Sequence, residues 1–457
     1  MIGKNLFDNF RDISAKEWKQ KIQYNLKGKD YNEEVVWDTL EGIKVKPFYN
    51  EEDIRNKTNA STTKPTWKIG YNVYAGNALM ANQNALNFMQ RGAEAITFLI
   101  PDESIDVVSL LNKINLNETK VYFDMQFLSK NYIENVMSNC KDATSLHFGI
   151  DPIGHLGRTG NWYRTLKDDF IDVKDILSLN LENVLKVDVA LYENAGADIV
   201  QQLAFAMAHA NEYLNKCLEL GNLDLVKSLE FKLAIGGNYF FEISKIRALR
   251  KLWNTLVKAY GVQIPCHIVS TPSKRNKTLY DYNVNMLRTT TECMSAVLGG
   301  SDTVFNMRYD AVFKKENKFA NRIALNQLLL LKEESYFDKV GNPVDGSYYI
   351  ETLTDQIAEK ALLGFKRIEK EGGFLKQLKN HSVQHQIANS AKKQQDRFNS
   401  KQMILVGTND FITVTDSMSK EIELFPFVKR KPRKTLIHPI IEKRLAEEKE
   451  QNRLSHE

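Results

Sequence analysis

Residues 187–197 read Val187-Asp188-Val189-Ala190-Leu191-Tyr192-Glu193-Asn194-Ala195-Gly196-Ala197. An apolar run gives way to small and polar residues and a glycine, the pattern of a buried strand entering an exposed loop. Working outward in both directions, the same unit recurs. Strands are expected over 67–74, 94–100, 120–125, 145–150, 185–191, 230–235, 266–270 and 302–306, on apolar periodicity broken by Gly, Pro and Asp. Helices are expected between them, over 78–91, 105–114, 132–139, 170–178, 199–220, 240–260, 283–298 and 320–333. Eight strand–helix units in roughly 260 residues match an α/β fold of the (β/α)8 TIM-barrel type. The rival, an open doubly wound sheet, usually carries a Gly-rich phosphate loop after its first strand. Here that loop is Tyr74-Ala75-Gly76-Asn77, with a single glycine, and the barrel is preferred.

The quoted stretch then lies on the fifth strand, whose end faces the mouth where barrel enzymes place their chemistry. It offers Ala190 and Leu191 there, with no acid, base or nucleophile between them. The other strand ends carry Asn72 and Tyr74, Asp124 and Gln126, His147, Asp151 and His155, Glu193, Ser270, Thr271 and Ser273, and Asp302, Phe305 and Asn306. His147, Asp151 and His155 have metal-ligand chemistry, but the set crosses a strand end and the Pro152 turn and is not expected to converge. Asp124 with Glu193 would make a carboxylate pair, although a barrel rim commonly carries several acids. Gly236-Gly237-Asn238 before a helix would suit a phosphate, with a tight turn as the simpler reading. Phe98, Tyr122, Phe123, Leu146, Phe148 and Phe231 are large strand residues at alternating positions; the outward-facing half belongs under the helices, and the rest should fill the lumen and leave no tunnel. No catalytic, cofactor-binding or metal-binding residue is therefore expected.

The 457 residues divide on this reading into an N-terminal arm (1–60), the barrel (61–375) and a C-terminal extension (376–457). The arm is polar with scattered aromatics (Trp18, Trp37, Phe48, Tyr49) that need a surface to bury against. In the extension, 404–411 reads as one more strand and 439–451 as a charged helix. The net charge is only +5, and much of it sits at Lys429, Arg430, Lys431, Arg433 and Lys434. Without aromatic or Gly-rich companions this cluster reads as a solvated linker, so no nucleic-acid partner is expected. Four dispersed cysteines argue against a zinc site or a disulfide framework. The absence of a signal core or a long apolar run leads to the expectation of a cytoplasmic protein with no membrane partner.

Several blocks resemble the methylmalonyl-CoA mutase family. They are Thr39-Leu40-Glu41-Gly42-Ile43-Lys44-Val45-Lys46-Pro47, Asn194-Ala195-Gly196-Ala197 with Gln201-Gln202-Leu203-Ala204, and the run 237–253 from Gly237-Asn238-Tyr239 to Leu252-Trp253. Arg288-Thr289-Thr290-Thr291-Glu292 with Ala296-Val297-Leu298-Gly299-Gly300, and Gly346-Ser347-Tyr348-Tyr349-Ile350-Glu351, complete the set. The resemblance implies rearrangement of methylmalonyl-CoA to succinyl-CoA with adenosylcobalamin, the acyl-CoA threading the barrel and a separate C-terminal domain holding the cofactor. Where catalytic members carry a tyrosine and a histidine, this chain has Ala190 and Leu191; a further catalytic histidine is matched by Phe305 and a glutamine by Asp302. The cobalt-ligating Asp-x-His-x-x-Gly motif is missing; His438 is followed by Pro439 and then too few residues for a cobalamin domain. The resemblance thus implies the non-catalytic small subunit of a heterodimeric mutase, with cofactor and chemistry in a large catalytic subunit embraced by the arm and basic tail. The alternatives are a catalytic barrel served by a separate cobalamin-binding polypeptide and a stand-alone acyl-CoA-binding regulator.

Overall fold

A computed structural model describes residues 10–54, 67–140, 144–429 and 432–457. Eight parallel strands close into a barrel: β1 (Lys68–Tyr74), β2 (Ala95–Ile100), β3 (Lys120–Met125), β4 (Leu146–Ile150), β5 (Asn183–Asp188), β6 (Leu229–Ile235), β7 (Cys266–Pro272) and β8 (Thr303–Phe305). The order is sequential, and β8 pairs with β1 through Phe305 opposite Gly70. The intervening helices are α1 (Ala78–Met89), α2 (Val107–Leu111), α3 (Lys130–Ser138), α4 (Leu166–Leu177), α5 (Ile199–Glu219), α6 (Tyr239–Ala259), α7 (Val284–Gly299) and α8 (Lys318–Leu329). Local chemistry starts them: Asn77, Asp106, Ser129, Thr165 and Asn317 accept from first-turn amides, and Asp198 with Gln201 closes a capping box.

Successive strand residues face opposite sides, so each strand serves two cores. The outer layer, between strands and helices, holds Phe98, Phe123, Leu146, Phe148 and Phe231; Phe231 packs edge-on against Trp253 of α6, with ring centroids 5.3 Å apart. Five of the six therefore lie under the helices, more than the outward half expected, and do not fill the lumen. Of the six, only Tyr122 is in the small separate cluster inside the barrel, with Ala95, Val269 and Phe305. The parity of the strand decides this: Phe123 and Tyr122 are neighbours and must point to opposite faces.

Three further expectations also change. The fifth strand ends at Asp188, because Val189 already has helical dihedrals and opens a short helix, Ala190–Asn194. Residues 404–411 form no strand; only Val406 and Asp410 bridge. The terminal helix is confined to Glu447–Leu454, whereas the polar stretch near 380–400 forms a helix, Ser382–Asn399.

The arm is tied down unevenly. Ile43 is buried in the main core, Trp37 packs edge-on against Phe241 at 5.7 Å, and Tyr49 meets Tyr349 at 5.0 Å. The helix Ala15–Asn25 has no buried residue and leaves Phe10, Ile13, Trp18 and Tyr24 exposed.

Candidate functional site

A cavity of about 470 Å³ opens at the C-terminal rim of the barrel. Its walls are charged. Asp124 on β3 lies 3.5 Å from Lys186 on β5 and 3.5 Å from Lys232 on β6, and Asp188 accepts from Arg158 at 2.8 Å. Burial favours the neutral form of each carboxyl, but the neighbouring cations outweigh it. Lys186 and Lys232 hold Asp124 down at about 2, and Arg158, Lys232 and Lys186 hold Asp188 well below the usual range. Lys186 is in turn raised: its acidic neighbours, Asp124 first, outweigh its burial. Each acid is locked to a base, so none of these groups is poised to exchange a proton near neutral pH.

Below the cavity the lumen is crossed. The Tyr122 hydroxyl reaches from β3 to Thr303 Oγ1 on β8 at 2.7 Å and to His267 Nε2 on β7 at 2.8 Å. Its ring stacks on His147 at 4.3 Å, and Phe305 abuts it edge-on at 5.6 Å. Phe305 lies over Gly70; a Cβ there would sit 2.5 Å from the Phe305 ring. Glycine at position 70 is what lets the phenyl group fold across the bore.

The sequence-derived candidates do not assemble into one centre. Ala190 lines the cavity. Leu191 does not: it is fully buried in the outer core, near Gly157. His147 and Asp302 belong to the lower half of the barrel, and Asp302 precedes β8, paired with Arg250 at 2.8 Å. Asp151 turns outward to His209 at 2.9 Å and Tyr213 at 2.6 Å, while His155 stacks on Tyr163 at 3.7 Å. Glu193 accepts from Ser273 at 2.7 Å and has no partner in common with Asp124. The Gly236 turn faces the Glu242 carboxylate, 3.2 Å from where a Cβ would stand, which disfavours a phosphate. Sequence reasoning missed Lys186, Glu230, Lys232 and His267, although Lys186 with Asp188 and Glu230 with Lys232 alternate with apolar neighbours at the strand period.

The chain's own C-terminal segment lies over the rim. Leu436 and Ile437 donate to Gly160 O at 3.0 and 3.1 Å, Ile440 to Gly157 O at 2.8 Å, Lys443 to Asn194 O at 3.1 Å and Leu445 to Arg275 O at 2.9 Å. Arg433 donates to Thr159 O at 2.6 Å. Gly160 has φ +82°, and a side chain there would strike Ile437 O at 2.7 Å. The tail, expected to grip a partner, is therefore engaged here with its own barrel; Arg430 and Lys431 of the basic cluster fall outside the described residues.

The family profile described as methylmalonyl-CoA mutase matches residues 105–455. The chain is 32% identical to the methylmalonyl-CoA mutase small subunit of Porphyromonas gingivalis, over 92% of this chain and 73% of that one. The chain belongs to the methylmalonyl-CoA mutase family. It is also 27% identical to the small subunit of Streptomyces virginiae, over 91% of this chain and 73% of the other. The Porphyromonas gingivalis large subunit matches at 31% over 52% of this chain and 35% of its own length.

The mutase family blocks serve the scaffold here. In the Arg288–Glu292 block, Glu292 receives Lys277 Nζ on both oxygens, at 2.9 and 2.8 Å, with both side chains almost fully enclosed. Arg247 of the 237–253 run joins Asp345 and Glu351, which flank the Gly346 turn. Glu193, beside the mutase-like Asn194–Ala197 turn, is enclosed near Lys245, Glu242 and Arg275, and burial pushes its carboxyl up to about 7 from 4.5. A raised carboxyl stabilises the fold below its unfolded value and loses that contribution as pH rises through the folded value. Glu193→Gln should therefore remove up to about 3 kcal/mol of pH-dependent destabilisation between pH ~4.5 and ~7. The buried histidines titrate with the opposite sign in part of this window, so the readout is the difference in urea midpoint between wild type and variant at pH 5 and pH 8. An unchanged difference across the two pH values would contradict the assignment.

Proposed function

We propose that this chain is the non-catalytic small subunit of a heterodimeric, adenosylcobalamin-dependent methylmalonyl-CoA mutase, with cofactor and chemistry in its large partner. The observation that carries this reading is the crossed lumen: Tyr122 tied to Thr303 and His267, with Phe305 across Gly70, stands where an acyl-CoA would have to thread. The replaced positions argue the same way. Ala190 has no polar side-chain atom to offer a reacting acyl group, and Leu191 does not face the cavity. Phe305 contributes bulk where an imidazole is expected.

The residues present do not fit adenosylcobalamin. A cofactor serving this barrel would have to meet the C-terminal rim, and residues 433–445 lie hydrogen-bonded along it. The exposed apolar side chains of the N-terminal helix, Trp18 and Tyr24 among them, supply a surface for the large subunit. No helix among the described residues is long and apolar enough to cross a membrane, and a cytoplasmic location follows from the reading as a metabolic enzyme subunit.

Co-expression with a candidate large subunit tests the proposal. One peak on size exclusion should contain both chains and all of the cobalamin absorbance. A chain that stays monomeric beside the large subunit, or that retains cobalamin without it, refutes the assignment.

A further inference from the structure

We propose that His147, Glu230 and His267 form a binding site for a divalent transition-metal ion, zinc by its donor set, at the floor of the barrel lumen. One side chain comes from each of β4, β6 and β7, and their donor atoms lie within 4.8 Å of one another. Two imidazoles and a carboxylate are the donors that borderline divalent ions select. Ligand atoms on a tetrahedral zinc with ~2.1 Å bonds stand roughly 3.4 Å apart, so the widest gap closes by about 1.4 Å, within reach of side-chain rotation.

Two independent features point to a ligand. His147 Nδ1 lies 3.3 Å from Glu230 Oε2 but out of line for a hydrogen bond, so a buried ring nitrogen makes none. A buried polar atom in that state is costly, and an ion would satisfy it together with the enclosed carboxylate. The second feature is the outer support of His267. Its Nδ1 lies 3.7 Å from Asp302 Oδ2, just beyond a hydrogen bond and within reach of a small ring rotation, and that carboxylate is fixed by Arg250 at 2.8 Å and by Ile268 N at 2.7 Å. Metal-binding histidines characteristically direct their second nitrogen to such a carboxylate. Burial also pushes both imidazoles down to about 3, so they are neutral and able to ligate at physiological pH.

The charges around the cluster balance, and burial favours the protonated form of Glu230, so an ion would take the place of that proton. Lys120, Lys186 and Lys232 approach the cluster, and Asp124, Glu230 and Asp302 oppose them. Tyr122, His147 and Glu230 line the floor of the rim cavity, which gives an ion a path from solvent. On binding, Tyr122 would release His267 Nε2 and keep its bond to Thr303. An ion here would cross-link three strands across the bore, which is a different use of the barrel from passing substrate and does not depend on the subunit assignment.

The test uses the full chain, stripped with chelator and then titrated with Co2+ and with Zn2+. Expected are one ion per chain, a ligand-field spectrum for Co2+ and a higher melting temperature with Zn2+. His147→Gln and His267→Gln should abolish binding, and Asp302→Asn should weaken it by about 10–100-fold; His155→Gln should leave it unchanged. Should the lumen variants misfold, X-ray absorption on Zn2+-loaded wild type decides: two imidazoles are expected in the first shell. Absence of stoichiometric uptake, unchanged binding by folded His147→Gln and His267→Gln, or a shell without histidine would each overturn the site.

Discussion

Glu292→Ala should destabilise the chain by about 3–5 kcal/mol, the range for stripping one partner from a buried ion pair. Lys277 and Glu292 are each about 1% exposed, so neither can turn to water. Without Glu292 the Lys277 ammonium keeps one hydrogen bond, to Asn276 Oδ1 at 2.6 Å, and no opposing charge in contact. Burial pushes the lysine down and the glutamate up, and each offsets part of that push in the other. The loss reaches further, because Lys277 O accepts from Arg444 at 2.9 Å and so anchors the segment over the rim. Removing both charges is a different experiment. Lys277→Met with Glu292→Leu should cost far less than Glu292→Ala, since an apolar pair of similar volume leaves nothing unpaired. Chemical denaturation of the three variants gives the coupling directly. A single variant within about 0.5 kcal/mol of wild type would show that the pair is solvated, against the burial described.

The chain purified without its partner should show no isomerisation of methylmalonyl-CoA when adenosylcobalamin is supplied, at least about 10²-fold below the complex. Ala190→Tyr should not create activity. A tyrosine there would enter the charged cavity, but the bore beneath remains crossed by Tyr122 and Phe305, and the second family position, Leu191, faces the outer core. Within the complex, Phe305→Ser should leave turnover within about twofold if the chemistry lies elsewhere. Turnover by the isolated chain, or collapse of the complex's kcat on Phe305→Ser with assembly intact, would place the reaction in this barrel.

The barrel was legible because strand and helix periods alternate eight times, and most strand ends agree within a residue or two. β5 overran: Val189-Ala190-Leu191 is apolar enough to continue a strand, and only the backbone turn at Val189 stops it. The lumen was misread for a different reason. The alternation of a strand leaves open which parity faces inward, and the one that sends Phe123, Phe148 and Phe231 outward sends Asp124, His147, Glu230 and Lys232 inward. The His147–Glu230–His267 group was invisible to local spacing, because its members come from three strands. The segment over the rim has almost no regular structure, and its partners lie far away in the chain.

That distance bears on how the molecule is made. Leu436 N reaches Asn161 across 275 residues, and Glu450 receives Leu279 N across 171. Contacts of such separation form late, after loop-closure entropy has been overcome. During synthesis the eight strands can close while the ion-paired opening is still bare, and the segment that lies along the rim can dock only once residues 433–445 have emerged. A nascent chain halted before that point would expose the charged mouth without the segment that lies along it.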